Sequence, residues 1–175
     1  MKDKLGYKFL QFLEDKGKQR IPFKYKLQFA PSTITEKDLH IKGSLELVWE
    51  YFSVTLPDNL VVEDEAILYG RVIHNLPKNF KVGRNLDIHA TEIKEIPSGL
   101  EVGEFLRVNK TPIKSFPKDF IFPRSVALAE LPLTRLDGDW SKVEYLYIAS
   151  IYLESFPESL KNLKELRIHH YRFKE

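Results

Sequence analysis

A proline recurs at twenty-residue intervals through most of this chain, at Pro57, Pro77, Pro97, Pro117 and Pro157. Each follows a large apolar residue: Leu56, Leu76, Ile96, Phe116 and Phe156. The missing member, Leu136-Asp137, keeps the apolar residue and the spacing. A compact, non-repetitive core imposes no such period. A solenoid does, because each coil sets the same position in the same environment.

The remaining apolar residues share that register. Leu60, Phe80, Leu100, Phe120 and Leu160 lie three past the proline, and Val62, Val82, Val102 and Phe122 two further on. An alternating pair follows with strand spacing, as in Leu86/Ile88, Leu106/Val108, Leu146/Ile148 and Leu166/Ile168. Five residues later come Ile73, Ile93, Ile113, Leu133, Leu153 and Phe173. Leu39, Ile41, Leu45 and Leu47 make an earlier, irregular copy, giving about seven in all. The expected fold is a mainly β repeat solenoid, with a parallel sheet on one face and an extended, 3-10 or short helical convex side. Gly83 and Gly103, one period apart with Glu63 and Pro123 in their column, predict a second recurrent bend.

Two segments precede the repeats, and together residues 1–35 read as an N-terminal cap, with 36–175 as the solenoid. Over 2–15, Leu5, Phe9, Phe12 and Leu13 have near-helical spacing and predict an amphipathic helix stopped near Gly17. Over 22–29, Phe23, Tyr25, Leu27 and Phe29 alternate with Lys24, Lys26 and Gln28, which predicts a half-buried strand. Residues 1–26 carry eight Lys/Arg against three acids; with a net charge of +2 for the chain, the repeats are left at −3. This basic arm reads as a solvated cap; the alternative is a nucleic-acid contact through Lys16, Lys18, Arg20, Lys24 and Lys26. No apolar run approaches the roughly 20 residues that span a bilayer, and there is no cysteine. The expectation is a cytoplasmic protein without a disulfide framework, a membrane partner or a thiolate site.

Over 56–173 the chain resembles a leucine-rich-repeat array of the short bacterial type with Leu-Pro at the repeat boundary, best matched from Leu86 to Phe116. The position after the strand, asparagine in that family, holds Thr91 and Thr111 and elsewhere Arg71, Leu131, Ile151 and Tyr171, so a continuous asparagine ladder is absent. Leu160, Leu163, Leu166 and Ile168 follow the family pattern more closely, which predicts a more helical or 3-10 convex side near the C-terminus. The resemblance implies protein–protein binding by analogy, and is compatible with a small phage or mobile-element inhibitor of a host protein.

No motif for catalysis or cofactor binding is present. His89 and His169 share a column four coils apart, roughly 19 Å at the strand spacing, too far to share a metal. Gly83 and Gly103 lack the lysine and hydroxyl context of a phosphate loop. The chain reads as non-enzymatic, with no cofactor and no metal. The outward columns beside the strand pairs are more telling: they hold Tyr69, His89, Phe105, Arg107, Tyr145, Tyr147 and Arg167, a composition of binding hot spots. The competing reading is cross-strand packing that stiffens the sheet. Ser125, Ala127 and Ala129 form a small-residue stripe between the aromatic positions. The expected partner is a protein held on this face. A further alternative is a homodimer joined through the C-terminal end of the array.

Overall fold

The computed structural model describes residues 8–12, 15, 21–48, 54–71, 73–151 and 153–169. It is a parallel β-solenoid of about six turns. The main sheet has seven strands: β2 (Leu45–Val48), β4 (Glu65–Tyr69), β6 (Asn85–His89), β8 (Phe105–Asn109), β9 (Ser125–Ala129), β10 (Tyr145–Ala149) and β11 (Glu165–His169), stacked in chain order. From β4 onward every residue pairs with the one twenty positions later, as in Leu86↔Leu106↔Val126↔Leu146↔Leu166. The irregular first copy pairs at twenty-one, Leu45 with Ala66. A second, four-stranded sheet joins β1 (His40–Ile41), β3 (Val61–Val62), β5 (Lys81–Val82) and β7 (Glu101–Val102). Between the sheets lies one spine of buried side chains, in which Leu47, Leu60, Leu68, Phe80, Leu86, Leu106 and Ile113 are sealed from solvent.

Each coil is shaped by a few backbone devices. The proline stiffens the approach to a turn, and in the first coils the second turn residue is left-handed: Asn59 (φ 62°), Asn79 (φ 54°) and Gly99 (φ 74°). The Asn79 side chain donates to Asn59 Oδ1 at 2.9 Å, a two-member ladder one turn away from the column where the sequence lacks one. The bend at Gly83 and Gly103 has a stricter cause. A Cβ on Gly83 would overlap the Glu63 carbonyl, and one on Gly103 the Gly83 carbonyl. The backbone N–H groups of Gly83 and Gly103 donate to Val62 and Val82 at 2.8 and 3.0 Å. The next residue in that column is Pro123, which has a Cβ and no N–H. It cannot continue this bond, and the second sheet stops at β7, resuming only as a single bridge between Ile121 and Asp139.

The coil with Asp137 in place of the boundary proline is built differently. Trp140 fills the column of Phe80 and Leu100, stacks on Phe122 at 3.6 Å between ring centroids, and donates its indole N–H to the Asp137 carbonyl at 3.2 Å. Gly138 (φ 106°) lets the chain pass, since a Cβ there would lie 2.8 Å from the Phe122 ring. Phe116, Phe120 and Phe122 complete the aromatic cluster with edge-on and stacked contacts.

Two expectations are corrected. Residues Phe23–Phe29 form an α-helix, α1, not a strand. A strictly alternating run of seven contains the i, i+4 pairs Phe23/Leu27 and Tyr25/Phe29, so it suits a helix equally well. Phe23 and Leu27 pack on the solenoid core, while Tyr25 and Phe29 stack on the other side at 6.4 Å. Lys26 grips the buried carboxylate of Asp38 at 3.0 Å, and Asp38 in turn accepts from the Thr35 backbone N–H and hydroxyl, closing a capping box. Nor does the C-terminal part turn helical: among the described residues beyond 130 the chain between strands runs through turns and extended segments. Residues 8–12 are helical as expected, but Leu10 is the side chain they bury, against Ile21 and Ala30, with Phe9 and Phe12 exposed. Leu5 and Leu13 lie outside the described residues.

Two outcomes test this account of the columns. Gly103→Ala should lower stability in urea unfolding by about 1–3 kcal/mol, the range for overpacking, because the obstacle is backbone. Thr91 and Thr111 are buried, and neither hydroxyl has a partner among the described residues. Their column continues with buried Leu131 and Ile151. Thr91→Val and Thr111→Val should therefore each stabilise the fold by about 1 kcal/mol through relieved desolvation, read as a higher thermal midpoint.

Candidate functional site

Strand alternation presents three outward columns along the main sheet. The backbone register fixes them as Phe105↔Ser125↔Tyr145↔Glu165, Arg107↔Ala127↔Tyr147↔Arg167, and Tyr69↔His89↔Asn109↔Ala129↔Ala149↔His169. All seven residues expected to bind thus share one face. They divide into two groups. Tyr69 and His89 pack on each other with centroids 5.3 Å apart, and His89 Nδ1 meets the Asn109 amide at 3.3 Å. Four strand steps, roughly 19 Å, separate Tyr69 from Tyr147.

The other five surround the small-residue stripe. With Ala or Ser at the middle of the face, the backbone of β9 becomes the floor between taller neighbours. One hollow of about 310 Å³ lies over Ser125 and Ala127, walled by Phe105, Tyr145, Tyr147 and Arg167. A second, of about 370 Å³, adjoins it over Ala127 and Ala129, bounded by Phe105, Arg107, Asn109, Glu130 and Tyr147. The arginines are held by carboxylates: Arg107 faces Asp87 at 3.4 Å, and Arg167 Nε donates to Glu165 at 2.6 Å. Guanidinium groups are thus presented in set positions without a large net charge. Tyr147 is braced from the far side by the His169 ring at 5.5 Å.

Sequence reading missed what supports this rim. One position before each strand lie Asp64, Arg84, Glu104, Arg124, Glu144 and Lys164, alternating in sign at every coil. Arg84 contacts Asp64 at 3.0 Å and Glu104 at 3.6 Å; Glu144 receives Arg124 at 2.7 Å and Lys164 at 2.9 Å. The Arg124 guanidinium also lies 5.5 Å from the centre of the Tyr145 ring, tying the charge column to the wall of the hollow. Hydrogen bonds from Lys164 and then Arg124 hold the Glu144 carboxyl below its ordinary pKa, and Glu144 in turn raises that of Arg124. The signal was legible as a twenty-residue recurrence of charge rather than of apolarity.

Of the basic residues considered for nucleic acid, Lys16, Lys18 and Arg20 lie outside the described residues. Lys26 is committed to Asp38, and Lys24 sits 5.8 Å from the Tyr25 ring. A cleft of about 930 Å³ is on the other sheet along Gly83, Gly103 and Pro123, where the charged pair Lys81–Glu101 is closed across coils at 2.8 Å. Among the described residues no group of three or more His, Asp or Glu is placed to hold a metal ion, and no helix is long and apolar enough to cross a membrane. Comparison of the chain with protein-family models, curated proteins and solved structures finds no match.

The depressed pKa of Glu144 gives a pH signature. A carboxyl whose folded pKa is lowered contributes stability above its unfolded pKa, and that contribution is lost as pH falls through the folded value. Glu144→Gln should therefore lower neutral-pH stability only slightly, because the pair is solvent-screened, and the variant and parental profiles should converge as pH falls below the ordinary carboxylate range.

Proposed function

We propose that this protein is a non-enzymatic binding scaffold that holds a partner protein on the outer face of its main sheet, over the stripe Ser125, Ala127 and Ala129. The observation that carries this reading is the pair of adjoining hollows floored by small residues and walled by Phe105, Tyr145 and Tyr147. An outer face whose only task is to stiffen the sheet gains by covering its backbone with side chains; this one leaves its centre low and its aromatic rim high. Aromatic rings and oriented arginines around a recess supply apolar area and directional donors at little entropic cost. The leucine-rich-repeat likeness of the Leu-Pro units supports the same reading, since arrays of that kind use their stacked strands to bind proteins. Nucleic-acid binding through the basic arm is less well supported, because Lys26 already neutralises a buried aspartate.

Phe105→Ala and Tyr147→Ala should each weaken capture of the partner from the native host by tenfold or more, the loss of a hot-spot side chain of about 1.4–3 kcal/mol. Ala127→Arg, which fills the floor without touching the core, should abolish it. All three should keep the parental circular dichroism and thermal midpoint within a few degrees. Undiminished capture by folded Ala127→Arg would exclude this face.

A further inference from the structure

The two ends of the main sheet are finished differently. At β2 the inner column is closed: Leu45 and Leu47 are 4% and 0% exposed, and Phe23, Leu27 and Ile34 belong to the same core. At β11 the same column is open, with Leu166 at 40% and Ile168 at 42%, and Phe156 of the same coil at 44%. Among the described residues β11 pairs on one side only. Its hydrogen-bonding parity follows from two bonds: Glu165 N–H donates to the Glu144 carbonyl, and Ser150 N–H donates to the His169 carbonyl. Residues 165, 167 and 169 thus direct their backbone groups at β10, and Leu166 and Ile168 direct theirs away from it. The edge offers two donors, two acceptors and an apolar inner face, without the proline, bulge or inward charge that blunts sheet edges.

We infer that β11 pairs antiparallel with β11 of a second copy about a two-fold axis through Arg167, joining the two main sheets edge to edge. The segment Glu165-Leu166-Arg167-Ile168-His169 is complementary to its own reverse. In this register Leu166 lies opposite Ile168 of the second copy as a hydrogen-bonded pair, twice, which closes four main-chain bonds and covers both open columns. On the outer face Glu165 lies opposite His169 of the other copy, an acid against a base, twice. Arg167 meets its own counterpart at the axis, and each guanidinium is already held by its own Glu165 at 2.6 Å. A parallel, head-to-tail contact would instead set the β11 edge against the helix-covered β2 end. The dimer does not rest on the partner proposed above, although Arg167 stands at both sites, and it would place the Tyr145 and Tyr147 columns of both copies on one continuous face.

The absence of cysteine makes the test clean. At a non-hydrogen-bonded antiparallel position the Cα atoms approach to about 4.5 Å, within the range a disulfide spans. Arg167→Cys should give a covalent dimer under mild oxidation, whereas Glu165→Cys, two residues off the axis, should not. The wild-type 175-residue chain should sediment at high micromolar concentration with twice its 20.5 kDa mass, and Ile168→Lys should return it to the single-chain mass with an unchanged circular dichroism spectrum. A wild-type chain that stays single at that concentration, a dimer that survives Ile168→Lys, or cross-linking as efficient through Glu165→Cys would each overturn the assignment.

Discussion

Everything in this molecule depends on parallel strands stacked about 4.8 Å apart with a fixed offset of twenty residues. Such stacking means that each side chain has as its nearest neighbours the residues one coil before and one coil after. A position is then judged by whether it tolerates its own column, more than by its burial alone. Aliphatic columns satisfy this by packing on themselves, which is why one spine of Leu, Ile, Val and Phe runs the length of the array. Backbone columns satisfy it only if nothing intrudes, as the glycines at 83 and 103 show. Pro123, the single residue that fails both demands of that column, marks where the second sheet ends.

This explains which parts of the fold could be read from the chain. The solenoid, its register and its sealed positions were legible because every coil repeats the message; Leu86, Leu106 and Leu146 share one environment as the period requires. The cap had no repetition to correct a local ambiguity. Phe23, Tyr25, Leu27 and Phe29 fit both a two-residue and a four-residue period, and only contact with Asp38 and the first coil settles the matter in favour of the helix. Trp140 was passed over because its coil lacks the proline that announces the turn, yet its indole answers that lack by bonding the Asp137 carbonyl.

The candidate surface was legible in part. Alternation along the strands identified its outward columns, and the small stripe at 125, 127 and 129 was visible in the sequence. Depth was not. The hollows arise from the difference in height between β9 and its neighbours β8 and β10, a property of three strands at once. The same holds for the arginines, whose orientation depends on carboxylates one coil away or two residues along the strand. Tyr69 and His89 matched the composition sought, but their distance along the stack makes them a separate pair braced on each other.

The column Asp64, Arg84, Glu104, Arg124, Glu144, Lys164 carries a rule about how such an array can grow. Copying one coil would lay a cation on a cation or an acid on an acid at the junction, whereas copying two adjacent coils restores opposite neighbours throughout. The unit that can be duplicated without a like-charge junction is therefore forty residues long, two coils of opposite sign.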